Sequence, residues 1–297
     1  MLKFKKYKQL GIDTAALALK KLNRDEVKKL VCWAKEEGWN PGENDFDVFW
    51  KTDPDGFYGF YLGSLLVAGG AVVSYNRQFG FMGLFIVHPN FRSQGIGKKL
   101  WYLRRDLLIK RLHKGASIGM DGVVAMQPFY EKGGFKIAFK SERYECVGKN
   151  SSISKAISQV DQRDFKKVSD YDLMCFGFER KKFLENWLTL PGSRSFKFSE
   201  NNRLKGYAVI REVNAGYKIG PLFADNYMVA EALYKACLDW AAGASVYLDI
   251  PTSNKNAIEM IMKYEAVYTF ECARMYYGAF PENTVDKVYG ITTFELG

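Results

Sequence analysis

The sequence predicts an α/β (α+β) protein of two related domains, each a mixed, mostly antiparallel twisted sheet flanked by helices. Three observations carry this. The chain has 297 residues, and a domain averages ~150. Its apolar pattern alternates between the helical and strand periods in the order helix, hairpin strands, helix, strand, helix, strand. That order is then replayed. Residues 206–210 followed by 216–223 resemble 70–74 followed by 80–85, each leading into an amphipathic helix. Ser117-Ile-Gly-Met-Asp121 is matched by Ser245-Val-Tyr-Leu-Asp249, and each half closes on a strand containing Arg143-Tyr144 or Arg274-Met-Tyr276.

The elements follow in order. A helix is expected over 23–35. Asn23 caps it, Glu26 takes the capping-box place, and Val27, Leu30, Val31 and Ala34 form one apolar face. Gly38 ends it, a turn-rich loop follows to Asp45, and a short helix is expected over 46–50. Strands at 57–62, 68–75 and 80–87, joined by glycine-bearing turns, read as antiparallel hairpins, and Pro89 stops the third. The helical period returns over 97–112, with Leu100, Leu103, Leu107, Leu108 and Leu112 on one face. A strand (117–125), a short helix (128–132) and one or two strands (135–147) complete the first domain, 1–147. The polar stretch 148–154 is the linker, and 155–297 is the second domain, with a helix over 227–241.

Composition removes several classes. Hydrophobic residues make up 47% and aromatics 15%, which excludes disorder as the main state. The most apolar stretch, 61–73, is shorter than the ~20 residues of a membrane span and holds three glycines. Residues 1–10 are basic with no apolar core after them, so no secretory signal is read. Five scattered cysteines and two histidines offer no metal-ligand spacing, so no metal is expected and the compartment is taken as cytoplasmic.

The formal charge is +10, and it is uneven: residues 1–147 hold 24 basic and 15 acidic side chains, residues 148–297 hold 19 and 18. Eight basic residues fall between Arg92 and Lys114 against one acid, Asp106. That is either a solvated helix face or a site for a phosphate-bearing partner.

The sharpest local signal is Val87-His-Pro-Asn-Phe-Arg92-Ser93-Gln94-Gly95-Ile96-Gly97-Lys98, at a strand-to-helix junction. Helix starts expose unpaired N–H groups and a positive dipole end. Two glycines let backbone approach an anion, and Arg92 adds a charge, which together describe a pyrophosphate cradle. The pattern is neither the G-x-G-x-x-G dinucleotide fingerprint nor a Walker loop.

These residues resemble the acyl-CoA loop of the GNAT N-acetyltransferases, whose Arg/Gln-x-x-Gly-x-Gly/Ala pattern is complete at Arg92, Gly95 and Gly97. Phe129-Tyr130-Glu-Lys-Gly-Gly134-Phe135 resembles the Leu-Tyr-x-x-x-Gly-Phe end of a second GNAT motif, although Val123 and Met126 stand where that motif has Asn and Ala. With less specificity, Gly38-Trp39-Asn40-Pro41-Gly42, Cys175-Phe-Gly-Phe-x-Arg180 and Ile219-Gly-Pro-Leu-Phe-Ala-Asp225 extend the likeness to a YitH-type tandem group with a degenerate C-terminal GNAT-like domain.

The resemblance implies an acetyltransferase that moves acetyl from acetyl-CoA to a primary amine, either a small amine or a protein lysine. The amine attacks directly in a ternary complex. The chain would be a monomer or homodimer with no membrane or nucleic-acid partner. The backbone of Phe85, Ile86 and Val87 would hold the pantetheine arm and polarise the thioester, and residues 92–98 would hold the pyrophosphate. Tyr130 would protonate the departing thiolate. For the amine, Asp45 is the candidate that orients it or relays its proton. Because no carboxylate lies on strand 80–87, the base is either a water or a residue of the second domain, where Asp225 and Asp249 are candidates. Trp39 lines an acceptor pocket or packs in the core, and His88 and His113 are read as structural. A contrasting reading is a non-catalytic CoA-binding sensor. Nucleic-acid binding lacks both a recognised module and an aromatic stacking set on the basic helix.

Overall fold

The computed structural model describes residues 13–281 and 285–297, so the basic stretch 1–10 lies outside it. The first half runs β1 (Leu17–Lys21), α1 (Arg24–Glu36), α2 (Asp45–Thr52), β2 (Phe57–Leu62), β3 (Leu65–Tyr75), β4 (Phe79–Val87), α3 (Ile96–Arg111), β5 (Ser117–Val123), α4 (Gln127–Lys132) and β6 (Phe135–Val147). The second runs β7 (Ile157–Gln159), α5 (Phe165–Phe176), α6 (Lys181–Trp187), β8 (Ser193–Glu200), β9 (Arg203–Glu212), β10 (Tyr217–Ala224), α7 (Tyr227–Trp240), β11 (Ser245–Pro251), α8 (Lys255–Lys263), β12 (Val267–Tyr277) and β13 (Val288–Gly290). The fold is mixed α/β as the periodicity predicts, and the capping box of α1 forms through Asn23 and Glu26.

All these strands belong to one sheet. Its order is β1-β2-β3-β4-β5-β12-β6-β11-β10-β9-β8-β7, with β13 beside β10. The halves therefore exchange a strand: β12 of the second half pairs β5 of the first, while β6 of the first pairs β11 of the second. The repeated Arg and Asp positions fasten this exchange. Arg143 on β6 makes two bonds to Asp249 on β11 (2.6 and 2.8 Å), and Arg274 on β12 makes two to Asp121 on β5 (2.8 and 2.9 Å). Both pairs are buried. Asp249, expected as a candidate proton acceptor, is thereby committed. Arg143 and its own hydrogen bonds hold its carboxyl below the usual range despite burial.

The inner face of α3 differs from the leucine stripe. Its buried residues are Ile96, Leu100, Trp101, Arg104 and Leu108, while Leu103 is exposed. Leu100, Leu108 and Leu112 of the expected stripe are buried, but Leu103 is not, and Trp101 and Arg104 complete the inner face in its place. Three of the eight basic residues of this region are structural. Arg104 is fully buried, Arg111 is bidentate to Asp53, and Arg105 binds Asp106 and the Gly133 carbonyl. That reduces the basic surface on which a nucleic-acid reading would rest.

Candidate active site

Strands β4 and β5 run parallel but pair only from Phe79 to Phe81 against Ser117 to Gly119. Beyond that point they diverge. Just past it β4 bulges: Ala71 faces Gly83 and Gly69 faces Ile86, so Gly70 opposes both Leu84 and Phe85. Leu84 has φ +47°, a left-handed conformation unusual for leucine. A bulge leaves carbonyls without ladder partners, and Arg104 supplies them, donating to the Ala71 and Gly83 oxygens. Its guanidinium also lies over the Phe85 ring at 4.9 Å, and burial lowers its pKa to about 9.

The diverging strands open a cavity of about 1020 Å³ lined by residues of both halves. Phe85, Ile86 and Val87 line it, as do Arg92, Ser93, Gly95, Gly97 and Lys98. The side chains of Gln94 and Ile96 do not; Ile96 is buried in the core under α3. In this loop Ser93 (φ +62°) and Gly95 (φ +75°) are both left-handed, and α3 begins with no side-chain cap. Its first N–H groups therefore face outward with no intrahelical acceptor. A Cβ on Gly97 would press on Val87 at 3.2 Å. Arg92 is half-exposed, and it bonds the Glu37 carboxylate and the Val87 carbonyl.

Tyr130 lines the opposite wall. Its ring is buried and stacked on Trp101 at 5.6 Å, and burial, opposed by Arg104, pushes the phenol up to about 12. Val123 and Met126, at the places where the second motif departs, line the same wall.

Asp45 is not part of this cavity, which corrects the expectation for it. It is fully buried; Arg211 of the second half takes both its oxygens at 3.0 and 3.2 Å, and the Gly42 N–H adds a bond of 2.9 Å. A carboxylate so engaged has no free oxygen for an amine proton. Its loop is a clamp between halves: Asn40 bonds Ala215, Asn214 bonds the Pro41 carbonyl, and Lys218 donates to the Asn40 carbonyl. Asp225 is likewise taken, by Lys287, Lys205 and Tyr171. His88 packs edge-on to Trp33 and Phe91. Trp39 does line the cavity.

Among the described residues, four carboxylates line the cavity: Glu37, bound to Arg92; Asp121, bound to Arg274; Glu145; and Glu295, which was not anticipated. Glu295 lies in the segment 291–297, which returns from the second half across β4. A Cβ on Gly83 would sit 1.8 Å from the Glu295 carbonyl oxygen. Glu295 is buried, and its Oε2 accepts from Thr293 at 2.6 Å. Nothing local in Thr-Thr-Phe-Glu-Leu signals a site; the hint is Gly83, one of two glycines on β4, where something crosses the strand.

The second half keeps the cleft geometry but fills it. Strands β10 and β11 pair only from Tyr217 to Ile219 against Val246 to Leu248, and β10 has its own register shift before Leu222. Into the gap comes β13, pairing β10 at Leu222 and Phe223. The Ile291 N–H reaches the Asp249 carbonyl on β11 at 2.9 Å. Asn254, which caps α8, donates its amide to the Asp286 and Val288 carbonyls.

The site is thus a cleft between diverging parallel strands, with a bulge on one and an uncapped helix start beside it. The sequence matches the family described as Acetyltransferase (GNAT) family over residues 24–135 and that described as Acetyltransferase (GNAT) domain over 168–290. The two matches together span well over half of the chain, and the chain belongs to the GNAT superfamily as a tandem of two GNAT domains. It is 28% identical over 267 residues to a holothin acyltransferase of Pseudoalteromonas, covering 89% of both chains. It is 21% identical to YitH of Bacillus subtilis, described as an uncharacterised N-acetyltransferase, over 82% of this chain and 85% of that one. Among solved structures, a putative acetyltransferase from Pyrococcus horikoshii superposes with TM-score 0.83 at 24% identity, covering 96% and 98%. A tandem GNAT protein of the clavulanic acid pathway gives 0.62 at 14%, covering 90% and 100%. The chain is thus a transferase of acyl groups. Among the described residues no helix is long and apolar enough to cross a membrane.

Proposed function

We propose that the chain transfers acetyl from acetyl-CoA to a primary amine, using one cleft, that of the first half. The observation that carries this is the conjunction at β4: a bulge at Leu84, free strand edge from Phe85 to Val87, and an uncapped helix start at Gly95 within one cavity. The residues fit the co-substrate. The N–H groups of 95–98, with Lys98 and Arg92, suit a pyrophosphate, Arg92 exchanging Glu37 for phosphate. The open edge of β4 suits an amide-bearing arm laid alongside as an extra strand. Backbone N–H groups preorganised at the bulge stabilise the developing oxyanion, worth roughly 3–4 kcal/mol each. Tyr130, a phenol held protonated across the neutral range, gives its proton to the departing thiolate.

The test is calorimetric titration with acetyl-CoA, then thiol release over a panel of amines. The expected results are binding and release with at least one amine, and Arg92→Ala weakening binding roughly tenfold, the low end for a charge-assisted bond since Glu37 already competes. Tight CoA binding with no release from any amine would instead favour a CoA-binding sensor.

A further inference from the structure

The cavity has two unlike ends. One is the phosphate loop. The other is walled by aromatic rings from both halves: Trp39, Tyr247, Phe270 and Phe294. Phe270 and Phe294 meet edge-to-face at 5.9 Å, and the Arg143 guanidinium lies over both, at 5.5 and 5.2 Å. That guanidinium is not available to a ligand, since it is bidentate to Asp249 and donates to the Trp39 carbonyl. The charges this end can offer are the carboxylates Glu145, on β6, and Glu295. Glu295 Oε2 holds the Thr293 hydroxyl, and among the described residues no hydrogen bond reaches Oε1. The Glu295 main chain crosses β4 at Gly83, one residue before the bulge, so its carboxylate belongs beside the acyl centre.

We propose that this aromatic chamber takes a small primary amine on a flat apolar skeleton bearing no acid group, and that Glu295 receives its ammonium and removes its proton. The inference deepens the acetyl-transfer reading above and rests on it. Rings attract a cation through their faces, and a buried carboxylate fixes where its nitrogen sits. A carboxylate or phosphate on the acceptor would meet Glu145 and Glu295, while Arg143 is committed to Asp249; the lining lysines are Lys35, two residues from the Arg92-bound Glu37, and Lys98 of the phosphate loop. The ammonium yields one proton to Glu295, which passes it to water in the cleft. The freed nitrogen lone pair forms the C–N bond, the C–S bond breaks, and the thiolate takes the Tyr130 proton. The second proton on nitrogen leaves by Glu295, and the phenol is restored from solvent. The balance is one amide, one thiol and one proton released.

The experiment uses the full chain, acetyl-CoA, and paired acceptors: 2-phenylethylamine against phenylalanine, tryptamine against tryptophan, and a lysine peptide. The amines are expected to exceed their carboxylated partners and the peptide at least tenfold in kcat/KM. Glu295→Gln should lower kcat by about 10²-fold or more and remove the acid limb of the kcat/KM profile, with acetyl-CoA affinity unchanged. Glu295→Asp should recover part of both. Phe270→Ala should raise KM for the amine with KM for acetyl-CoA unaltered. A Glu295→Gln enzyme with wild-type kcat and pH profile overturns the role of Glu295, and preference for the peptide or the amino acids overturns the chamber. Acetyl-CoA binding without thiol release from any amine removes the transfer reading itself, and this proposal with it.

Discussion

Replacing Gly83 by alanine tests how the second half completes the site. An added methyl would lie 1.8 Å from the Glu295 carbonyl oxygen, 2.6 Å from its carbon and 3.0 Å from its Cα. Carbon and oxygen do not approach below about 3 Å, so something must give by about 1 Å. Strand β4 is held at this point by β3 and by Arg104, whereas 291–297 is a single strap. The strap is therefore the part that moves. Overpacking of this kind costs about 1–3 kcal/mol. A displacement of about 1 Å in a group beside the chemistry can cost 10²-fold in rate. Gly83→Ala should thus lose about two orders of magnitude in kcat for the amine while keeping acetyl-CoA affinity, since residues 85–98 are not displaced. Gly80→Ala is the control: its methyl would press at 2.8–2.9 Å on the tips of Leu112 and Leu108, which can rotate away. Steady-state kinetics with calorimetric acetyl-CoA binding decide the matter. A Gly83→Ala protein with wild-type kcat, or one equal to Gly80→Ala, would refute the reasoning.

Three further outcomes are expected. Asp249→Ala leaves the Arg143 guanidinium buried beside β11 without its counter-ion and should destabilise by about 3–5 kcal/mol in urea unfolding, with Arg143→Met/Asp249→Leu recovering most of it; a loss under about 1 kcal/mol would contradict the clamp. Tyr130→Phe should lower kcat about 10²-fold with acetyl-CoA affinity unchanged, and an unaltered kcat would return the ring to packing on Trp101. Lys218 is buried, and burial, together with Arg143 and Arg211, lowers its pKa to about 7. Between there and its ordinary value the unfolded chain binds the extra proton, so wild-type stability should rise with pH across about 7 to 10.5 relative to Lys218→Met, by up to about 1.4 kcal/mol per pH unit; parallel curves for the two proteins would show that the lysine stays charged in the fold.

Local order was legible because it is written locally. Asn23 and Glu26 cap α1 as their spacing requires, and strands 57–62 and 135–147 fall where alternation and glycines set them. The loop 92–98 was legible for the same reason: its glycines and helix start are contiguous. What was not legible depends on contacts far apart in sequence. The repeated Arg and Asp positions marked a duplication, but nothing in either half says that Arg143 seeks Asp249 and Arg274 seeks Asp121 across an exchanged pair of strands. Asp45 looked available because its partner, Arg211, lies 166 residues away. Glu295 was invisible for the converse reason, a plain acid in a short segment whose place is set by where β13 leaves it. The bulge at Leu84 has no glycine or proline of its own. It is produced by register against β3 and held by an arginine from α3.

The same stretch, 285–297, explains why the duplication should yield one site. In the second half the strand edge that corresponds to 85–87 is not open, because β13 is paired along it at Leu222 and Phe223. Asn254 stands at the start of α8 where the family motif has an amide for the pantetheine arm, and here it holds the Asp286 and Val288 carbonyls instead. The would-be phosphate turn has Asp225 in an ion-pair network and Asn226 capping α7 by accepting from the Val229 N–H, so this helix start carries the side-chain cap that α3 lacks. A ligand entering this cleft would have to displace a strand and its hydrogen bonds, and the same displacement would pull 291–297 off β4, since only a few residues separate Gly290 from Glu295. Filling the second cleft and completing the first are thus one structural commitment. Equilibrium titration should give one acetyl-CoA per chain. Asn254→Ala should loosen the plug and lower kcat for the amine without adding a second binding event, because no phosphate loop waits beneath it. A stoichiometry of two, in the wild type or in Asn254→Ala, would overturn this account.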